Sequence, residues 1–204
     1  MAINKIILQG GGGHARVVLD CLLSQGATVV GIFDPKLTSH LLGVAPLGEY
    51  NPQVEPEALA IVAIGDNAIR KEVAERTKHL FTNTQHSSAI FSQHAQLGTG
   101  NVILHGSIVQ ALTKIGNHVV INTGAQVDHD CVVEDYVHLA PGARLCGNVR
   151  VGEGALIGAG AVVIPGKKVG AWATVGAGAV VISDIPDYAV AVGNPARIIK
   201  ARTP

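Results

Sequence analysis

The chain has 204 residues, 15 Lys+Arg against 15 Asp+Glu, and 3% aromatic residues. That balance excludes nucleic-acid binding through a basic surface or an aromatic base-stacking platform. The length permits one domain or two small ones. Mean hydropathy is positive, but the most apolar stretch, Val169 to Ser183, is too short for a bilayer span and is broken by glycine. Lys5 is followed by only Ile6, Ile7 and Leu8 before polar residues and glycine, too little for a signal-peptide core. Cys21, Cys131 and Cys146 are odd in number and lack short paired spacing. The expectation is a reduced, soluble, cytoplasmic protein without a zinc knuckle.

In chain order, Lys5–Leu8 reads as a short buried strand that runs into Gly10-Gly11-Gly12-Gly13-His14. An apolar-periodic helix follows from Val17 to Leu23, and Gly26 ends it. Thr28–Phe33 is a second strand, closing on Asp34-Pro35. Pro46, Gly48, Pro52 and Pro56 punctuate a segment that reads as surface loop. Leu59–Ile64 is a third strand into Gly65-Asp66-Asn67, and Ala68 to Lys78 a charged helix. Residues 1–83 therefore read as a small α/β, βαβαβ unit with a parallel sheet.

From Phe91 the pattern changes. Every sixth residue through Val181 is apolar, sixteen in one phase, including Ile103, Ile121, Leu139, Ile157 and Val175. Four residues after each hit the side chain is usually small, as at Ala125, Cys131, Ala143, Ala155, Ala161, Ala173 and Ala179. A period of six fits neither a helix face nor one alternating strand. It fits short strands joined by tight turns, with one large and one small side chain inward per rung. The phase dissolves at Ser183-Asp184-Ile185-Pro186. The tail Val190–Arg197 would cover the open end, since a bare rung exposes unpaired ladder groups.

Gly10-Gly11-Gly12-Gly13-His14-Ala15 has the form G-x-G-x-x-A between a strand and a helix, and Asp34 ends the next strand. Glycines there let an anionic ligand approach backbone amides at a helix N-terminus. The unit is half a full dinucleotide fold, so a mononucleotide or nucleotide-sugar diphosphate fits better than NAD. A merely tight turn is the plain alternative.

Nine histidines are sorted by the repeat. If three hexads make a coil, residues eighteen apart stack. His129 then has Ala111 below and Gly147 above, leaving an imidazole open to a ligand. Asp128 and Asp130 flank it, and a carboxylate can orient the ring and raise its basicity. His118 stacks with Tyr136, Gly154 and Trp172, which reads as packing or a subunit contact; His138 stacks with Val120 and Leu156. No His-x4-His pair supports a metal site. Cys131 falls on an inward small position and reads as core.

Gly-Gly-His at 12–14, Ile-Gly-Asp-Asn-x-Ile-Arg at 64–70, Ile-Asn-Thr at 121–123, Val-Asp-His-Asp-Cys at 127–131 and Val-Gly-Asn-Pro-Ala at 192–196 carry a resemblance. They resemble the hexapeptide-repeat nucleotide-sugar acetyltransferases of the bacillosamine and perosamine pathways, together with the sialic-acid O-acetyltransferases, over nearly the whole chain. The resemblance implies a mainly β fold, a Rossmann-like α/β domain at 1–83 followed by a left-handed parallel β-helix at 84–204. It implies acetyl transfer from acetyl-CoA to the 4-amino group of a UDP-linked amino-deoxy sugar, in a homotrimer with sites between subunits and no metal. In this chain the implied base is His129, with Asp130 enhancing it. Asn122 would lie near the amino sugar, and Gly12, Gly13, His14, Asp34 and Gly65 would hold the nucleotide sugar. His138, Ala159 and Ala177 would contact acetyl-CoA. Pro35 departs from the family, standing where the bacillosamine enzyme carries a second Asp. O-acetylation of a sugar and a non-catalytic trimeric scaffold are the alternatives.

Overall fold

The computed structural model describes residues 5–201. The N-terminal unit runs β1 (Lys5–Gln9), α1 (Gly13–Ser24), β2 (Thr28–Phe33), β3 (Pro46–Gly48), β4 (Leu59–Val62) and α2 (Asn67–Arg76). All four strands are parallel, in the order β3-β2-β1-β4. One expectation is corrected here. No helix stands between β2 and β4, so the unit is not a full βαβαβ; the segment read as loop supplies the edge strand β3. Its three residues are too few to show alternation, and Pro46 is tolerated because an edge strand leaves one side of its ladder unpaired.

From Thr84–Gln85 onward the chain winds as a solenoid of two-residue strands, each paired with the strand eighteen residues away. The strands form three parallel sheets, the faces of a prism. A docking face climbs from Thr84–Gln85 through Val120–Ile121 and His138–Leu139 to Thr174–Val175. A second face runs from Ile90–Phe91 to Val180–Val181, and a third from Gln96–Leu97 to Lys168–Val169. The winding thus begins one strand before Phe91. The hexad residues and their small partners fill the interior: Val127, Leu139, Ile157, Val175, Ala125, Cys131, Ala143 and Ala161 are all buried in one core. Large and small side chains alternate around each coil and fill the narrow interior.

The outward rows differ between faces. The second face shows Ile90 and Ile108 at one end and Val162, Val180, Ile164 and Ile182 at the other, with Gln126 and Arg144 between them; Ile90 is 63% exposed. The third shows Lys114, Arg150 and Lys168, all exposed. At the top, Ala189–Val192 continues the docking-face sheet, and Arg197–Ala201 folds back antiparallel on it. Ala196 packs into the solenoid core between them. The tail thus extends one face as well as covering the end.

Arg70 pins the two units together. It is 1% exposed, and its guanidinium donates to carbonyl oxygens on both sides. Nε reaches His118 O at 2.9 Å and Nη2 reaches Tyr136 O at 2.6 Å on the solenoid. Nη1 reaches Ile64 O at 3.0 Å and Gly65 O at 3.2 Å in the N-terminal unit. Asn67 adds Nδ2 bonds to Gly154 O and Ala155 O. Val102, Leu104 and Val120 of the docking face share a core with Leu8, Leu19 and Ile61. Arg70→Met would leave several buried carbonyls without donors, at about 1–3 kcal/mol each. The expected outcome is a loss of at least ~3 kcal/mol in urea unfolding; a loss below 1 kcal/mol would contradict the pinning role.

Candidate functional site

At the corner between the second and third faces, the strand Gln126–Val127 ends and Asp128, His129 and Asp130 make the turn. Asp130 adopts φ of +59°, a left-handed conformation that a short Asp tolerates. Asp128 Oδ1 accepts the His129 backbone N–H at 2.8 Å. His129 Nδ1 lies 2.8 Å from Asp130 Oδ2. An ionised carboxylate can only accept, so Nδ1 carries the proton and Nε2 keeps its lone pair. The hydrogen bond to Asp130, followed by the charge of Asp128, raises the His129 pKa above the ordinary imidazole range. The side chain is 60% exposed. Gly147 lies over the ring, where a Cβ would come within 2.7 Å of Cε1 and Nε2. The stacking read from the repeat is the one observed.

A second cluster joins the two units. His138 Nδ1 is 3.0 Å from Gly65 O, and its Nε2 is 3.0 Å from Asn122 Nδ2. A carbonyl cannot donate, so Nδ1–H points to Gly65 and Nε2 accepts from Asn122. Asn122 Oδ1 in turn accepts the Thr123 N–H at 2.8 Å, which fixes its amide. His14 stands 5.8 Å from the His138 ring, with a buried Nε2 that has no partner among the described residues. Burial is the largest cause lowering both pKa values to about 4, with Arg70 adding to it. His118, packed flat on Tyr136 with ring centroids 5.3 Å apart, is lowered to about 4 by burial and then Arg70. His14, Gly65, Asn122 and His138 thus form one group. Ala159 and Ala177 lie apart from it, exposed on the corner between the docking and second faces.

The third region is a cleft of about 480 Å³ at the carboxyl ends of β1, β2 and β3, lined by Gly10, Asp34, Lys36, Glu49 and Tyr50 among others. Asp34 Oδ2 accepts the Gly11 N–H at 2.7 Å and Oδ1 the Lys36 N–H at 2.8 Å, so this carboxylate shapes the loop. Gly12 caps α1 with no side-chain hydrogen bond, leaving the first-turn amides uncapped. A Cβ at Gly12 or Gly13 would meet nothing, whereas one at Gly10 (φ +100°) would strike Ile64. At Gly11 a Cβ would press on Leu37 at 3.0 Å, so the crowded glycines are the first two of the run.

Arg70 was missed from sequence. Its signal was there: with Val73 and Ala74 it sits at helical spacing on the one buried face of α2. Cys131 is buried, its thiol pushed up to about 11 mainly by burial, which fits a core role. Among the described residues no three His, Cys, Asp or Glu side chains form a metal-binding group, and no helix is long and apolar enough to cross a membrane.

The family described as the PglD N-terminal domain matches residues 5–77, and the bacterial transferase hexapeptide (six repeats) family matches residues 112–147. The perosamine N-acetyltransferase of Caulobacter crescentus, solved as a histidine-to-asparagine variant with CoA and GDP-perosamine, superposes with a TM-score of 0.92 at 39% identity over 98% of both chains. The chain belongs to the hexapeptide-repeat nucleotide-sugar N-acetyltransferases. The acetyltransferase domain of PglB from Neisseria gonorrhoeae gives a TM-score of 0.91 at 33% identity, over 96% of this chain and 100% of that one. Among curated members of this acetyltransferase family, the UDP-N-acetylbacillosamine N-acetyltransferase of Bacillus subtilis is 40% identical over 112 residues, 50% of this chain. That match spans about half, 52%, of the relative's length.

Three histidines whose pKa values are lowered by burial couple the stability of this fold to pH. The folded pKa values of His14, His118 and His138 lie near 4 against 6.5 for a free imidazole. The stability that these rings contribute is complete above about pH 6.5 and is lost toward pH 4, at about 1.4 kcal/mol per pH unit for each. In urea unfolding across that window, His118→Phe should give a slope shallower by about one ring's share. An unchanged slope would contradict the assignment.

Proposed function

We propose that the chain transfers an acetyl group from acetyl-CoA to the 4-amino group of a nucleotide-linked amino-deoxy sugar; its relatives are named as N-acetyltransferases of UDP-N-acetylbacillosamine and GDP-perosamine. The observation that carries this reading is His129, with Nδ1 committed to Asp130 and a free Nε2 beneath Gly147. The sugar amine attacks the thioester carbonyl while Nε2 accepts its proton. The C–S bond then breaks, and the imidazolium returns that proton to the departing CoA sulfur. General-base assistance of this kind is worth ~10²–10⁴-fold, and holding both substrates in place supplies much of the rest.

The nucleotide would occupy the cleft and the uncapped first turn of α1, where backbone N–H groups favour phosphate. Its sugar would extend toward His14 and Asn122, where the orphaned His14 Nε2 awaits a polar partner. Acetyl-CoA would lie along the corner of Thr123-Gly124, Pro141-Gly142, Ala159-Gly160 and Ala177-Gly178. A Cβ at Gly124, Gly160 or Gly178 meets nothing, so that edge is bare.

His129 and Asn122 stand at opposite edges of the second face, so one chain does not bring them together. That face carries outward apolar side chains at both ends, Ile90 and Ile108 and then Val162 and Val180, with Gln126 and Arg144 between them, a surface a second copy would cover. A homotrimer packed through it sets His129 of one protomer beside the corner of the next. Three free cysteines suit a reducing cytoplasm.

The test is thiol release from acetyl-CoA with nucleotide-linked 4-amino sugars. His129→Ala should lose at least ~10²-fold in kcat with its fold intact. Because the base works unprotonated and its pKa is raised, the acid limb of kcat/KM should lie above that of a free imidazole, and Asp130→Asn should move it to lower pH. Near-wild-type turnover in His129→Ala would remove this residue from the mechanism.

A further inference from the structure

The strand order β3-β2-β1-β4 places Glu49, Asp34, Gly10 and Ile64 one after another across the carboxyl edge of the sheet. Three strand spacings of ~4.8 Å separate the Glu49 end from the Ile64 end, about 14 Å in all. A nucleoside diphosphate bearing a sugar is long enough to lie along that edge. The diphosphate belongs at the glycine loop and the start of α1, and the sugar beyond it toward Gly65. The nucleobase is left with the β3 end.

Two features define that end. Tyr50 is a rigid wall: its hydroxyl oxygen accepts the Lys78 N–H at 2.8 Å and lies 2.9 Å from His79 Nδ1, while its ring meets Phe33 edge-on at 5.3 Å. Glu49 lines the cleft and is exposed, and among the described residues no hydrogen bond or ion pair engages its carboxylate. Asp34, the other acid of the cleft, already accepts from Gly11 and Lys36 with its two oxygens. A free carboxylate repels phosphate, which again places the base at Glu49.

We infer that Glu49 reads the nucleobase and selects guanosine-diphosphate-linked sugars over uridine-diphosphate-linked ones. The inference rests on the nucleotide-sugar reading above. Guanine presents N1–H and N2–H₂ side by side, two parallel donors that match the two carboxylate oxygens. Uracil presents a single N3–H between two carbonyl oxygens. One carboxylate oxygen would accept from it while the other faced an acceptor, an arrangement that rejects uracil as well as favouring guanine. Pro35 has no side-chain acceptor for a ribose hydroxyl or a base, so Glu49 carries the discrimination at this end.

Calorimetric titration of the full chain with GDP and with UDP tests this directly, on wild type, Glu49→Ala and Glu49→Gln, with melting curves to show that each variant is folded. Wild type should bind GDP at least ~10-fold more tightly than UDP, the worth of a charge-assisted hydrogen bond. Glu49→Ala should erase that ratio by weakening GDP alone. Glu49→Gln presents one acceptor and one donor, complementary to uracil N3–H and O4, so the ratio should fall to parity or invert. Equal wild-type affinities, equal weakening of both nucleotides in the variants, or no binding of either would overturn the inference. Base preference without acetyl transfer would remove the enzyme reading alone. Acetylation of UDP- and GDP-linked sugars with equal kcat/KM would remove the Glu49 assignment alone.

Discussion

A single buried guanidinium decides where everything else in this molecule sits. Arg70 satisfies carbonyls from both units at once, and its charge is tolerated in the interior because those oxygens replace water. Burial lowers its pKa to about 10, which still leaves it protonated at neutral pH. The Gly65 carbonyl that it helps to hold is the one that receives His138 Nδ1–H. The ring's other nitrogen orients Asn122. The Gly65 loop and a solenoid rung are thus in fixed register through one carbonyl and one imidazole, and the same positive charge helps to keep His14, His118 and His138 neutral.

That register accounts for the division of the proposed site. The α/β unit sits on the docking face, so its Gly65 end reaches the nearest corner, at Asn122 and Thr123. The exposed His129 stands one full face away. A rigid prism cannot fold that face to close the distance, because its interior is filled by interlocking Leu, Ile, Val and Ala side chains. In the function proposed above, the remaining means is another copy of the chain packed on that face.

Much of this was legible in the residues. The six-residue phase set the solenoid strands from Ile90–Phe91 to Val180–Val181, and eighteen-residue stacking put Gly147 over His129. Less legible was whatever depended on contacts between units. Helix α1 begins at Gly13 rather than Val17: Ala15 already stands in helical period with Val18, Leu19 and Leu22, but the glycine run just before it reads as loop. The edge strand Pro46–Gly48 borrows its order from β2 and has no pattern of its own. Arg70 read as one more charge on a polar helix, because the carbonyls that bury it come from residues 48 and 66 positions away. The repeat placed His138 only between Val120 and Leu156, and gave no sign that both its ring nitrogens are taken within the chain.

The claim that one protomer's imidazole serves its neighbour's sugar pocket is tested most directly by mixing two inactive variants. His129→Ala and Asn122→Ala protomers, unfolded together and refolded in equal amounts, form hybrids in which a wild-type His129 meets a wild-type Asn122 at about a quarter of the interfaces. The account predicts acetyl transfer in the mixture well above that of either variant alone, reaching about that fraction of the wild-type rate. Activity that stays at the level of the separate variants at every mixing ratio would contradict it.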